Sequence, residues 1–282
     1  MDCPQCGVTV PECKRHCPGC QVDIGFPNVR AAATPAEETA LAARVHDAEV
    51  STAARGCRPV LDCFGIAVLQ SKIVLCRNLG IVCSLVSSDT QLYTSFYRAL
   101  DARTRMPEDN NDWDRYRGAV DSTLFPNYHK DIVFAALTLD NQGVQRFGGY
   151  AIFLRDTMTQ HRVSVFEENA FGFCLRHKVT AGQPIPAGYR ATWKERSRLA
   201  VAKLHSKLDR TTSAEDFPRI LLSQGTDAAD DNFIEAHVYG PISRRAIERV
   251  VGPKPKRRED KVLLKALGKD LEKVGAVLEV QS

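Results

Sequence analysis

Two Cys-x-x-Cys pairs stand within the first twenty residues, Cys3-Pro-Gln-Cys6-Gly and Cys17-Pro-Gly-Cys20, with ten residues between them. Each pair offers two thiolates from one tight turn, and two such turns close a tetrahedral site with Zn–S distances of about 2.3 Å. The spacing predicts a zinc ribbon over residues 1–27 ligated by Cys3, Cys6, Cys17 and Cys20. Cys13 and His16 are spare ligands, either of which can replace one of the four, and a redox dithiol is the alternative. Four thiolates leave no open coordination position, so the expected Zn2+ is structural or recognitive, not hydrolytic. So short a segment buries too little surface to fold by itself, and the metal supplies its folding energy.

The remaining sequence is ordinary globular material: 282 residues in all, 44% hydrophobic and 26% charged, enough for one large domain or two. The first residues are polar and cysteine-rich, unlike a secretory signal. The most apolar region, Cys57–Val86, is broken by Asp62, Lys72 and Arg77, so no membrane span is expected. Ten cysteines without an export signal point to reduced thiols or metal ligands and a cytoplasmic location. The net charge of +4 is local, because residues 253–274 carry eight Lys/Arg against four acids. The other residues balance and carry no global nucleic-acid signature.

Along the chain, Thr34-Pro35-Ala36-Glu37 reads as a helix start, and a helix over Pro35–Ala54 makes residues 28–58 a connector. Apolar spacing over Pro59–Asn78 predicts a buried helix, and another is expected over Asp89–Leu100. Cys57, Cys63, Cys76 and Cys83 lack ligand spacing and read as small core residues. Asp101–Asn127 is polar and turn-rich (Pro107, Asn110, Asn111), with Trp113, Tyr116 and Phe125 among Asp114, Arg115 and Arg117; it is either an active-site loop or a surface with anchoring aromatics. Strands are expected at Ile132–Leu139, Tyr150–Leu154 and Val163–Phe166, with Phe171–Leu175 continuing the sheet. Lys194–Leu208 reads as a basic helix. A strand at Arg219–Ser223, a polar loop, a strand at Phe233–Tyr239 and a short helix after Gly240-Pro241 follow. Leu264, Leu267, Leu271 and Val274 give an amphipathic helix over Pro255–Val274 that docks on the domain or meets a partner. The expected class is α+β: a ribbon, a mixed-sheet domain over 59–252 with flanking helices, and a basic C-terminal helix over 253–282.

Strand alternation puts Phe233, Glu235, His237 and Tyr239 on one side and Ile234, Ala236 and Val238 on the other. A carboxylate, an imidazole and a phenol in line make an odd solvent face. Three segments then resemble the ADP-ribosyltransferase superfamily, especially small bacterial toxins of toxin–antitoxin and phage-defence systems, over roughly residues 90–252. They are Phe96-Tyr97-Arg98-Ala99-Leu100, the strand Gly148-Gly149-Tyr150-Ala151-Ile152-Phe153-Leu154-Arg155, and the strand–loop–strand that ends in Phe233-Ile234-Glu235.

The resemblance implies NAD+ as co-substrate, with Glu235 stabilising an oxocarbenium-like transition state, Arg98 pairing with the pyrophosphate and Tyr150 stacking on nicotinamide. It also implies an antitoxin or chaperone partner. Arginine-modifying members carry a second glutamate two residues before the catalytic one; here that residue is Phe233, so the acceptor is expected not to be a protein arginine. The ribbon and the basic helix place nucleic acid, RNA or DNA, ahead of protein as acceptor. Two other readings stay open: a non-enzymatic zinc-ribbon adaptor that binds RNA or a protein, and a nuclease using His129 or His237.

Overall fold

The computed structural model describes residues 1–106, 112–180, 182–227 and 230–281, with the backbone alone at 112–115. After the ribbon the elements are α1 (Pro27–Ala32), α2 (Pro35–Ala54), α3 (Arg58–Val68), β1 (Lys72–Arg77), α4 (Leu79–Val86), β2 (Leu92–Tyr93), α5 (Phe96–Asp101) and α6 (Asp112–Leu124). Next come β3 (Ile132–Thr138), β4 (Tyr150–Leu154), α7 (Asp156–Thr159), β5 (Val163–Phe166), α8 (Ala170–His177), β6 (Arg190–Thr192), α9 (Arg196–Leu204) and α10 (Phe217–Leu221). The chain closes with β7 (Glu235–Tyr239), β8 (Ile242–Ser243), β9 (Ile247–Pro253), α11 (Arg258–Glu272) and β10 (Val277–Gln281). The fold is α+β, built on one mixed eight-stranded sheet in the order β10-β9-β4-β1-β3-β7-β5-β6. Its β9–β10 pair is parallel and its other pairs are antiparallel.

One face of the sheet carries the main core. Ile73, Leu75, Ile152, Ile234, Ala236 and Val238 pack there under α2, α3, α4, α9, α10 and α11. α2 starts where its sequence said: the Thr34 hydroxyl accepts from Glu37 N at 3.3 Å. It does more than connect, because Leu41 and Ala48 are buried in that core against α3 and α9. The leucine seam of α11 is also spent inside the molecule, with Leu264, Leu267 and Leu271 buried, so this helix docks on the domain. The opposite face is covered in two halves. Val144, Leu222 and Phe233 lie over β1, β4 and β9, while α6 and α8 lie over β3, β5 and β7.

Six expectations about elements are corrected. Pro59–Asn78 is α3 followed by β1, whose inner residues Ile73–Cys76 are buried on both faces; such a run lacks alternation and cannot be told from buried helix by period. Phe171–Leu175 belongs to α8, capped by the Asn169 side chain accepting from Phe171 N and Gly172 N. Arg219–Ser223 ends α10, and only the Ser223–Asn232 bridge remains of the expected hairpin. Beyond Gly240-Pro241 the chain makes β8, a single 3-10 turn and then β9 instead of a helix. Within Asp89–Leu100 the helix begins only at Phe96, and part of the segment read as loop over Asp101–Asn127 is α6. Pro107, Asn110 and Asn111, and the side chains of Trp113, Asp114 and Arg115, lie outside the described residues.

The turn into β4 depends on Gly148, whose φ of +141° favours glycine. A Cβ there would sit 2.1 Å from the Arg77 carbonyl carbon, against backbone that has no rotamer to change. Gly148→Ala is expected to cost about 1–3 kcal/mol or more, read as an earlier midpoint in urea unfolding.

Candidate functional site

The ribbon assembles from two like-shaped turns. Cys3 N donates to Val8 O and Cys17 N to Val22 O, and the residue after each pair, Gly7 or Gln21, takes positive φ. The four sulfurs of Cys3, Cys6, Cys17 and Cys20 lie within 4.8 Å of one another. The Cys3–Cys20 and Cys6–Cys17 separations are 3.6 and 3.5 Å, close to the edge of about 3.8 Å that Zn–S bonds of about 2.3 Å give a tetrahedron. This donor set can hold a metal ion such as zinc. Gly19 N donates to Cys17 Sγ at 3.3 Å, a backbone contact that favours a thiolate there. His16 pairs in a bridge with Asp23 and Cys13 packs toward α6 and α8, so neither joins the cluster.

Glu235 and His237 are both buried, on the α6–α8 side of β7. Register fixes this: Ala136 faces Glu235 and Phe134 faces His237 across β3, while Phe166 faces Glu235 across β5. The His237 ring is enclosed by Phe125, Phe134 and Phe166, at centroid distances of 4.7, 5.2 and 5.9 Å. Its Nε2 donates to Glu235 Oε2 at 2.9 Å. A buried carboxylate has to be hydrogen-bonded to be tolerated, and His237 meets that need. Asn28 of α1 reaches the same strand, donating to the His237 carbonyl at 2.9 Å and to Ser164 Oγ and Arg162 O at 3.2 Å. Beside it, a cavity of about 10 Å³ is about the size of one water.

Sequence reading missed three further groups, Asp121 on α6, Lys203 on α9 and Cys174 on α8. Asp121 of α6 is buried and accepts from Tyr97 Oη at 2.8 Å. Burial first pushes its carboxyl up to about 7; Arg117 and Tyr97 oppose this, and the Glu235 charge adds to it. Lys203 donates to Phe233 O at 2.9 Å, and burial brings its ammonium down to about 8. Cys174 of α8 feels the charges of Asp121 and Glu168. It also lines a groove of about 290 Å³ with Tyr116, Val120, Phe171, Leu175 and Val179, at the lower edge of the range for small-molecule sites. The available signal was the i, i+4 spacing of Asp121 and Phe125, hidden because the segment read as loop.

The other expected site residues do not gather at Glu235. Arg98 lies on α5 with an exposed side chain paired to Asp131 at 2.7 Å. Tyr150 faces the main core: Val74 pairs Phe153 and Ala136, which puts Phe153 on the Glu235 side and Tyr150 on the other. His129 meets the Tyr97 ring edge-on at 4.9 Å, its imidazole held below its ordinary value by burial. Among the described residues no helix is long and apolar enough to cross a membrane. No protein-family model matches this chain, and no curated protein matches it.

Two outcomes follow. Purified protein is expected to carry one equivalent of zinc by elemental analysis, and Cys17→Ser or a strong chelator to release it and unfold the ribbon. Asp121 holds its proton in the folded chain near pH 7, whereas an unfolded aspartate loses it near pH 4. Its contribution to stability is full below about pH 4 and lost as pH rises through about 7, about 4 kcal/mol at most. Asp121→Asn should therefore flatten the fall in stability between pH 4 and pH 7, measured by urea unfolding.

Proposed function

We propose that this chain is an NAD+-consuming ADP-ribosyltransferase that delivers ADP-ribose to a macromolecular acceptor, with nucleic acid ahead of protein. One observation carries the reading: Glu235 is a buried carboxylate fixed on an inner strand by His237, 2.9 Å away. Breaking the bond between ribose and nicotinamide builds positive charge on the sugar, and a carboxylate already fixed in place stabilises that charge more than it does the substrate. Arg98 and Tyr150 have no part in the proposal, since one is tied to Asp131 and the other faces the opposite core. The toxin-type character and a neutralising partner are carried by the sequence resemblance.

Support for a nucleic-acid acceptor comes from the C-terminal helix and the residues before it. Lys254, Lys256, Arg257, Arg258, Lys261, Lys265, Lys269 and Lys273 are all exposed, beside an apolar seam that is already buried. Such cations neutralise phosphates and make binding salt-dependent. A structural Zn2+ in the ribbon fits the same role, as a rigid handle for the acceptor.

A second reading, the zinc-ribbon adaptor without enzymatic activity, is favoured by the cover of α6 and α8 over Glu235 and by the modest 290 Å³ of the groove outside. Nicotinamide release separates the two. The transferase is expected to release nicotinamide from NAD+, with Glu235→Gln slowing it at least 100-fold. Equal, background release from both proteins would leave the adaptor.

A further inference from the structure

We infer that the cavity between α1, β5 and β7 binds one water molecule, which donates to Asn28 Oδ1 and to His237 Nδ1. The water extends the Glu235–His237 bond as far as α1. Such a site is independent of the transferase reading above, because it concerns how the protein holds the imidazole and not what Glu235 acts on. Asn28 is the anchor. Its Nδ2 faces three acceptors, and two of them are backbone carbonyls, Arg162 O at 3.2 Å and His237 O at 2.9 Å. Turning the amide over would set oxygen against oxygen, so its orientation is fixed. That leaves Oδ1 on the other side, in a residue only 1% exposed, with no hydrogen-bond partner among the described residues. A buried acceptor of this kind calls for a donor.

His237 is the second partner. Its Nε2 donates to Glu235 Oε2, which leaves Nδ1 as an acceptor, and no group among the described residues bonds to it. Ser164 stands directly opposite His237 across β5 and β7, so both side chains emerge on the same face. Ser164 Oγ accepts from Asn28 at 3.2 Å and keeps its own hydroxyl proton to give. Asn28, Ser164 and His237 all line the one cavity of about 10 Å³, with Ala31, Phe125 and Arg190. Two acceptors and one hydroxyl donor around so small a space define its occupant. A single water has two protons for Asn28 Oδ1 and His237 Nδ1 and a lone pair for the Ser164 hydroxyl. Those three bonds are the usual number for a buried water, and the volume admits one such molecule. Arg190 on the same wall opposes a cation, and the two acceptors oppose an anion. Asn28 is therefore a positioning residue, acting on the imidazole through the water as well as through the His237 carbonyl.

A high-resolution crystal structure of the full-length, zinc-loaded protein should show one ordered water within about 3.2 Å of both Asn28 Oδ1 and His237 Nδ1. In protein labelled with 15N-histidine, long-range 15N–1H spectra should show His237 in one tautomer, with its proton on Nε2 and Nδ1 accepting a hydrogen bond. Ala31→Val adds two methyl groups on the cavity wall and leaves Asn28, Ser164 and His237 in place. It should expel the water and move the His237 Nδ1 resonance downfield, toward that of an unbonded lone pair. An empty cavity in a map that shows other buried waters overturns the site. So does a wild-type His237 that carries a proton on Nδ1, or an Nδ1 resonance unmoved in folded Ala31→Val. If Ala31→Val does not fold, the wild-type density and tautomer decide.

Discussion

A carboxylate shut inside a sheet must be answered by a donor, and the His237 ring answers Glu235 from two residues along the same strand. Much of the architecture follows from enclosing that pair. Ile234, Ala236 and Val238 anchor β7 into the main core, so the strand cannot slip by one residue without turning the acid and the imidazole into hydrocarbon on the wrong face. On their own side, Phe125, Phe134 and Phe166 enclose the imidazole. The pair is thus fixed in place by packing on both faces and by hydrogen bonding along one.

The sheet face that holds the pair is divided. One half is filled by α6 and α8, the other by Val144, Leu222 and Phe233 from the segments beside β3 and before β7. Glu235 lies at the seam, paired with Ala136 of one cluster and Phe166 of the other. Arg146 clamps the loop half, bonding Asp231 at 3.0 Å, and Gln224 bonds Gly143 O at 3.2 Å. The main core lies on the far side of the sheet from this seam.

How far the sequence could be read varied with the kind of signal. Ligand spacing was unambiguous for Cys3, Cys6, Cys17 and Cys20, because tetrahedral geometry tolerates few alternatives. Pro35–Ala54 was bounded at both ends, by the Thr34 cap and by Gly56 at φ +69°. The strand at Tyr150–Leu154 was legible between the Gly148-Gly149 turn and Arg155. Val74 and Leu75 were assigned to a helix since a strand buried on both faces has no period to show. β10 was missed because it is paired only with β9, and its alternation is short. The Asp121–Tyr97 contact spans 24 residues, and no local pattern encodes such a distance.

Asn28 has two amide hydrogens and three acceptors, drawn from the stretch leading into β5, from β5 itself and from β7. It follows directly on Phe26-Pro27, where the ribbon ends and its aromatic ring rests on Tyr239 at 5.4 Å. The peptide that leaves the cysteine module is therefore stitched to the backbone of the residue partnering Glu235. One uncharged side chain thus ties the exit of the cysteine module to the strand that carries the imidazole, which makes the N-terminal staple a strut for the protein's interior.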